Sequence, residues 1–289
     1  MPRILLALFF LPLTSLAQKT VNLTLFGGFS NYSGDIQEKQ FTLNQSHAAF
    51  GAGLSYQAMP KLLVRGGLTI GKLSADDKYS SKELNRRRNL NFSTMLYDAS
   101  IVADYSLYDL SEKRVTPYAF AGIAMFGFNP YTHDTSGTKW FLRNLGTEGQ
   151  GLFEYPDRKK YKVVQFSIPF GFGVRVRITD NAYLGYEFGL RKTFTDYIDD
   201  LSRTYVDEAT LASNRGFKAV ELAFRSNELK DVNLPYPQDG EVRGGEKYKD
   251  WYYFSGITLS IGLFDSLGKA GILSGSRGRR GSVDCPRVW

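Results

Sequence analysis

One cysteine, two histidines and no apolar run of 18 residues are the scarcities of this 289-residue chain. Cys285 alone cannot close an internal disulfide, so stability outside the cytoplasm has to come from backbone hydrogen bonding. His47 and His133 stand in no spacing that singles out a hydrolytic set with Ser and acidic partners, so no catalytic residue and no cofactor is assigned. The missing apolar run excludes a transmembrane helix. A mean hydropathy of −0.27 suits instead a chain in which only alternate strand residues meet lipid.

What is present is alternation. Phe166, Ile168, Phe170, Phe172, Val174, Val176 and Ile178 share one face of an extended segment, and Ser167, Pro169, Gly171, Gly173, Arg175 and Arg177 share the other. A strand of this length, tilted by roughly 40°, crosses a bilayer core of roughly 30 Å. Unpaired backbone groups cost several kcal/mol each in lipid, so such a strand needs partners that close a ring.

Apolar faces recur at Val21–Phe29, Ala48–Tyr56, Leu62–Ile70, Tyr97–Leu107, Tyr118–Phe128, Leu184–Leu190 and Trp251–Leu263. With Phe166–Ile178 they make eight, the even number of an all-β, antiparallel, up-and-down transmembrane barrel. Tyr118, Phe120, Ala124, Phe126 and Phe128 are read as the lipid-facing set of the fifth segment. Links near 59–61, 108–116 and 179–181 are short, whereas those near 31–46, 74–91, 130–162 and 194–249 are long. Short periplasmic turns and long extracellular loops follow, with both termini in the periplasm.

Arg3, the apolar stretch Ile4–Leu11 and Ser15-Leu16-Ala17 have the pattern of a secretory signal peptide, so residues 1–17 are assigned to it, 18–264 to the barrel and 265–289 to a basic tail. The Gly- and Arg-rich composition of Ser274–Gly281 predicts disorder there. Net charge is +7, and +6 without Arg3; the tail carries half of that excess, so the basic balance is not read as nucleic-acid binding. Aromatics make up 15% of the chain. Tyr56, Tyr105, Tyr108 and Tyr118 are placed at a periplasmic girdle, and Phe29, Tyr97, Phe128, Phe166, Trp251 and Tyr253 at an outer one.

An eight-stranded barrel is just wide enough for its own side chains. By alternation Arg65, Asp98, Asp104, Arg175, Arg177, Glu187 and Arg191 point inward and are expected to pair as a plug, with Glu187 opposite Gly173 and diagonal to Arg175. Outside, Arg86-Arg87-Arg88 lies where lipopolysaccharide phosphates run, although a solvated loop is the favoured reading. Asp76-Asp77 and Asp199-Asp200 lack the alternate-position pattern of a calcium loop and are read as solvated acids; no metal is assigned.

The loops carry more particular phrases: Arg88-Asn89-Leu90-Asn91-Phe92, Thr116-Pro117-Tyr118, Phe128-Asn129-Pro130, Leu145 to Gly151, Ile168-Pro169-Phe170-Gly171, Arg191 to Asp200 and Asp250 to Phe254. Together, from about Val21 to Phe264, they resemble the Bacteroidota outer-membrane barrels that include PorG of the type IX secretion system. The resemblance implies a non-enzymatic component that ties a periplasmic ring of PorK and PorN to the outer membrane, and it brings no catalytic residues. Such barrels end near an aromatic of the last strand, here Phe264, so the tail departs from the pattern. Docking from below falls to the short turns, with Lys61, Lys113 and Arg114 as candidates. The alternatives are a lipid A-modifying enzyme and a surface adhesin using the loops at 130–162 and 194–249.

Overall fold

The structure, a computed structural model, describes residues 21–37, 42, 44–109, 112–230, 232 and 234–263. The signal segment 1–17, Phe264 and the tail 265–289 with Cys285 lie outside the described residues.

Ten strands run in chain order: β1 (Val21–Ser33), β2 (His47–Met59), β3 (Leu62–Asp76), β4 (Asn91–Ser106), β5 (Val115–Gly127), β6 (Tyr131–His133), β7 (Lys139–Phe141), β8 (Val164–Thr179), β9 (Ala182–Thr193) and β10 (Trp251–Gly262). Eight of them close a ring in the order β3-β2-β1-β10-β9-β8-β5-β4, and β4 returns to β3. Every pairing is antiparallel, so the backbone polar groups of the wall are satisfied sideways. The short pair β6 and β7 stands outside the wall, joined to β4 at Ser93 and Tyr131. Four short helices complete the described loops: α1 (Glu83–Arg88), α2 (Leu142–Leu145), α3 (Glu208–Arg215) and α4 (Phe217–Ala223). Asp207 caps α3 by accepting the Thr210 N–H.

The outer surface of the wall is an apolar belt. Phe50, Leu68, Ile101, Ile123, Phe172 and Ile257 are each more than half exposed, an arrangement that water disfavours and hydrocarbon accepts. On β5 the faces are the reverse of the sequence reading. Tyr118, Phe120, Ala124 and Phe126 are buried inside, as is Phe128 just beyond the strand, while Val115, Ile123 and Met125 face out. Both faces of β5 are apolar, and the bulkier one is needed to fill the lumen. Tyr118 and Phe128 therefore leave the girdles assigned to them, and Tyr253 packs on Phe188 at 5.5 Å between ring centroids.

Room for the inward rings comes from glycine. A Cβ on Gly173 would lie 2.6 Å from the Tyr118 ring, closer than packed atoms allow. Gly173→Val is expected to lower barrel stability by about 1–3 kcal/mol through overpacking, read as a lower temperature at which the folded band is lost on unboiled gels. An unshifted temperature would show that Tyr118 does not occupy that space.

Beyond the belt, one apolar cluster continues from the lumen mouth into the loops. Tyr32, Phe92, Leu96, Phe126, Phe128, Leu142, Ile198, Leu211 and Leu222 belong to it. The long loops thus form a packed cap rather than solvated tethers.

Candidate functional site

In the lumen, charge is balanced. Three arginines (Arg65, Arg175, Arg191) meet three carboxylates (Asp98, Asp104, Glu187): Arg65 lies 2.7 Å from Glu187 and 3.3 Å from Asp104, Arg175 2.9 Å from Asp104, and Arg191 3.7 Å from Asp98. Tyr118 donates its hydroxyl to Glu187 at 2.9 Å and Tyr252 donates to Asp98 at 2.8 Å. Each guanidinium also lies over a ring: Arg65 over Phe120, Arg175 over Tyr118 and Arg191 over Phe254, at 5.5, 4.4 and 4.7 Å.

Glu187 does sit opposite Gly173, but its cation is Arg65 from across the barrel rather than the diagonal Arg175, which is held over Tyr118 and against Asp104. Arg177 lies at the turn end of β8, where its backbone N–H donates to Arg114. Among the described ion pairs it joins none of the three lumenal carboxylates. A lumenal cavity of about 50 Å³ remains beside Thr24, Arg65, Ser100, Phe120 and Arg191. Its volume would admit a few waters, and the Arg191 Nε, which has no protein hydrogen-bond partner, lies where one could satisfy it.

The cap has its own buried polar centre. The Tyr32 hydroxyl lies 2.7 Å from an oxygen of Asp199 and 2.7 Å from one of Asp250. Asp250 also accepts the Ile198 N–H at 2.8 Å, and Asp199 the Leu201 N–H at 2.9 Å. Asp200 accepts from Thr147 and from the Tyr161 hydroxyl. Glu148 pairs with Arg243 at 3.0 Å and accepts the Ser202 N–H at 3.0 Å. Gly146, Gly149 and Gly151 take φ of 62°, 73° and 75°, which explains the glycines of the Leu145–Gly151 phrase and places Thr147 and Glu148 beneath the 195–203 loop.

Burial lifts the cap acids: Asp196 to about 7, Asp200 to about 6, and Asp199 and Asp250 well above the carboxylate range, with neighbouring acids adding to the shift. Asp199, Asp200 and Asp77 are fully buried, so the reading of these three as solvated acids is corrected, while Asp76 stays partly exposed against Lys78 at 3.0 Å. Asp77 is held by the Arg88 guanidinium at 2.8 Å. Among the described residues no three acidic, His or Cys side chains converge as metal ligands.

The Arg86-Arg87-Arg88 run splits three ways in the last turn of α1. Arg86 donates to the carbonyls of Ser80 and Ser81, Arg87 pairs with Glu83, and Arg88 turns inward to Asp77. His47 meets Ser74 at 2.5 Å, and among the described residues no carboxylate is hydrogen-bonded to its ring. The His133 ring lies 5.6 Å from that of Tyr131. Lys61, Lys113 and Arg114 are exposed at the short-turn end of the wall. The sequence reading missed Tyr32, Arg243 and the role of Asp250, because partners this distant in the chain leave no spacing to read.

A closed eight-stranded antiparallel wall, apolar outside and filled with ion pairs inside, defines the class: a β-barrel of the kind found in bacterial outer membranes. The chain belongs to the family described as domain of unknown function DUF6089, whose profile matches residues 2–215. No curated protein matches it. Similar solved structures include Neisserial surface protein A (TM-score 0.42, 10% identity, 84% of this chain and 97% of that one). Ail of Yersinia pestis, in complex with the heparin analogue sucrose octasulfate, gives 0.39, 6%, 85% and 99%. OprG of Pseudomonas aeruginosa gives 0.37, 10%, 85% and 98%.

Proposed function

We propose that the chain is a non-enzymatic outer-membrane barrel that ties a periplasmic assembly to the membrane, in the manner of the PorG-like component of type IX secretion. The observation that carries this reading is the filled lumen. Balanced ion pairs and rings leave a cavity of about 50 Å³ rather than a path, so the working surfaces are the two ends. The short-turn end, with exposed Lys61, Lys113 and Arg114, is the periplasmic face that meets PorK and PorN. On the outer side, contact of the arginine run with lipopolysaccharide rests on Arg86 and Arg87, since Arg88 is engaged by Asp77.

Affinity capture of the tagged barrel from detergent-solubilised membranes tests the proposal. PorK and PorN are expected to co-purify with it, and charge reversal at Lys113 and Arg114 to reduce their recovery. Capture of the barrel without either ring protein would overturn the secretion role.

A surface-binding role is the second reading, favoured by Phe153 and Phe217, which stand 95% and 83% exposed on the outer loops. If it holds, replacing both with serine abolishes attachment of cells displaying the barrel to host-derived surfaces. Unchanged attachment removes it.

A further inference from the structure

A cleft of about 770 Å³ opens on the outer side of the wall between the end of β1, α1 and the 242–251 segment. Its lining is basic: Lys82, Arg88, Lys192, Arg243, Lys247 and Lys249 against a single acid, Asp35. Arg88 and Arg243 are neutralised from within by Asp77 and Glu148. Lys192, Lys247 and Lys249 are different, being exposed and making no salt bridge among the described residues. Asp35, the one carboxylate at hand, already accepts the Gly245 N–H.

The height of the cleft matters as much as its charge. Lys192 lies on the lipid side of β9, in register with Trp251, its ammonium 6.0 Å from the indole ring. Trp251 packs edge-on against Phe170 of the belt, the position of an interfacial aromatic. Tyr248 at the rim is 73% exposed and has the Lys247 ammonium 5.9 Å from its ring. The cleft therefore straddles the level at which acyl chains end and headgroups begin, with three cations free of salt bridges above an aromatic floor, Lys249 donating one hydrogen bond to the Glu246 carbonyl at 2.7 Å.

We propose that this cleft seats the phosphorylated headgroup of an outer-leaflet lipid. Lys192, Lys247 and Lys249 contact the phosphate oxygens, and Trp251 lies along the first carbons of the lipid. The proposal rests on the reading of the chain as an outer-membrane barrel and adds to it a lipid-binding site separate from the Arg86–Arg88 run.

The test uses the full chain folded into phosphatidylcholine vesicles doped with spin-labelled phosphatidic acid, the motionally restricted fraction giving its association relative to labelled phosphatidylcholine. The wild type is expected to prefer phosphatidic acid. Lys192→Gln, Lys247→Gln and Lys249→Gln combined are expected to lower that preference roughly tenfold, allowing for solvent screening of exposed lysines. The three Lys→Arg changes retain it, and Lys61→Gln with Lys113→Gln at the far end leaves it unchanged. Inorganic phosphate in the buffer is expected to leave the bound lipid in place; displacement would mark a site for free anions and overturn the headgroup assignment. Equal association of both lipids with the wild type, or a preference unmoved by the three Lys→Gln changes, would also overturn it. Retention of the folded band on unboiled gels in those cases leaves the barrel reading intact.

Discussion

Replacing Asp104 with alanine lowers the unfolding free energy of the micelle-bound barrel by about 3–5 kcal/mol. Asp104 is fully buried and serves two guanidiniums, Arg175 at 2.9 Å and Arg65 at 3.3 Å. Arg65 keeps Glu187 when Asp104 is lost, but Arg175 keeps only the Tyr118 ring, and bulk water does not reach a closed lumen to solvate the uncompensated charge. The effect belongs to the orphaned cation rather than to the pair. Asp104→Leu combined with Arg175→Met, which removes one charge of each sign, is therefore expected to recover most of the loss. Urea titration of the single and double variants decides this. A single-variant loss below about 1 kcal/mol, the range of exposed ion pairs, would mean that the lumen is wet and open.

Raising the pH from 5 to 8 loosens the outer cap and leaves the barrel wall folded. The Tyr32 hydroxyl has one hydrogen and two carboxylate oxygens at 2.7 Å. It donates to one, and the other closes the contact only by carrying a proton and donating to the phenol oxygen. A carboxyl whose folded value is raised stabilises the fold while it holds its proton, below its unfolded value, and that stability is lost as pH climbs through the folded value. For Asp200, moved from its ordinary 3.8 to about 6, the loss is about 3 kcal/mol over the whole titration, of which roughly 1 kcal/mol falls between pH 5 and pH 8. Asp196, raised to about 7, extends the window to neutrality, and burial beside each other raises Asp199 and Asp250 in the same direction. Limited proteolysis across that range is expected to show cleavage within 195–203 and 242–250 appearing above pH 7, with the wall protected throughout. Asp199→Asn with Asp250→Asn removes the shared-proton part of the profile, and Asp196→Asn with Asp200→Asn added flattens it. A cap equally resistant at pH 5 and pH 8 would contradict the shared-proton arrangement.

The wall was legible because lipid imposes a period of two. On β8 the partition is plain, with large apolar residues on one side and Gly, Ser, Pro and Arg on the other. On β5 the same period gave the wrong face: Ala119, Ala121, Ile123 and Met125 alternate with Tyr118, Phe120 and Phe126, and periodicity separates two faces without saying which looks outward. The strands also run further at the long-loop end than their lipid-facing stretches, β3 to Asp76 and β4 from Asn91. Beyond the membrane, Leu73, Phe92 and Tyr32 carry the inner face on into the cap while the outward positions Lys72, Ser74 and Ser93 are polar, so the lipid-facing pattern used to find the strands ends before the strands do.

The cap was legible only as phrases. Thr147, Glu148, Asp199, Asp200 and Asp250 all fall within the stretches that carry the family resemblance, yet their chemistry depends on pairings such as Glu148 with Arg243 and Tyr32 with Asp250, separations of 95 and 218 residues. Acids in Gly- and Thr-rich loops ordinarily face solvent, and here burial inverts that default. The β6–β7 hairpin and helices α3 and α4 lie within loops whose composition offered turns rather than elements.

Spin-label accessibility along β5 in lipid vesicles tests the central arrangement most directly. With Cys285 replaced by serine, single cysteines at Ile123 and Met125 are expected to be relaxed strongly by oxygen dissolved in the bilayer. Labels at Phe120 and Phe126 are expected to be shielded from oxygen and from an aqueous nickel chelate alike. Oxygen access at Phe120 and Phe126, or free access of the chelate to them, would contradict a barrel with this wall facing lipid and this lumen filled.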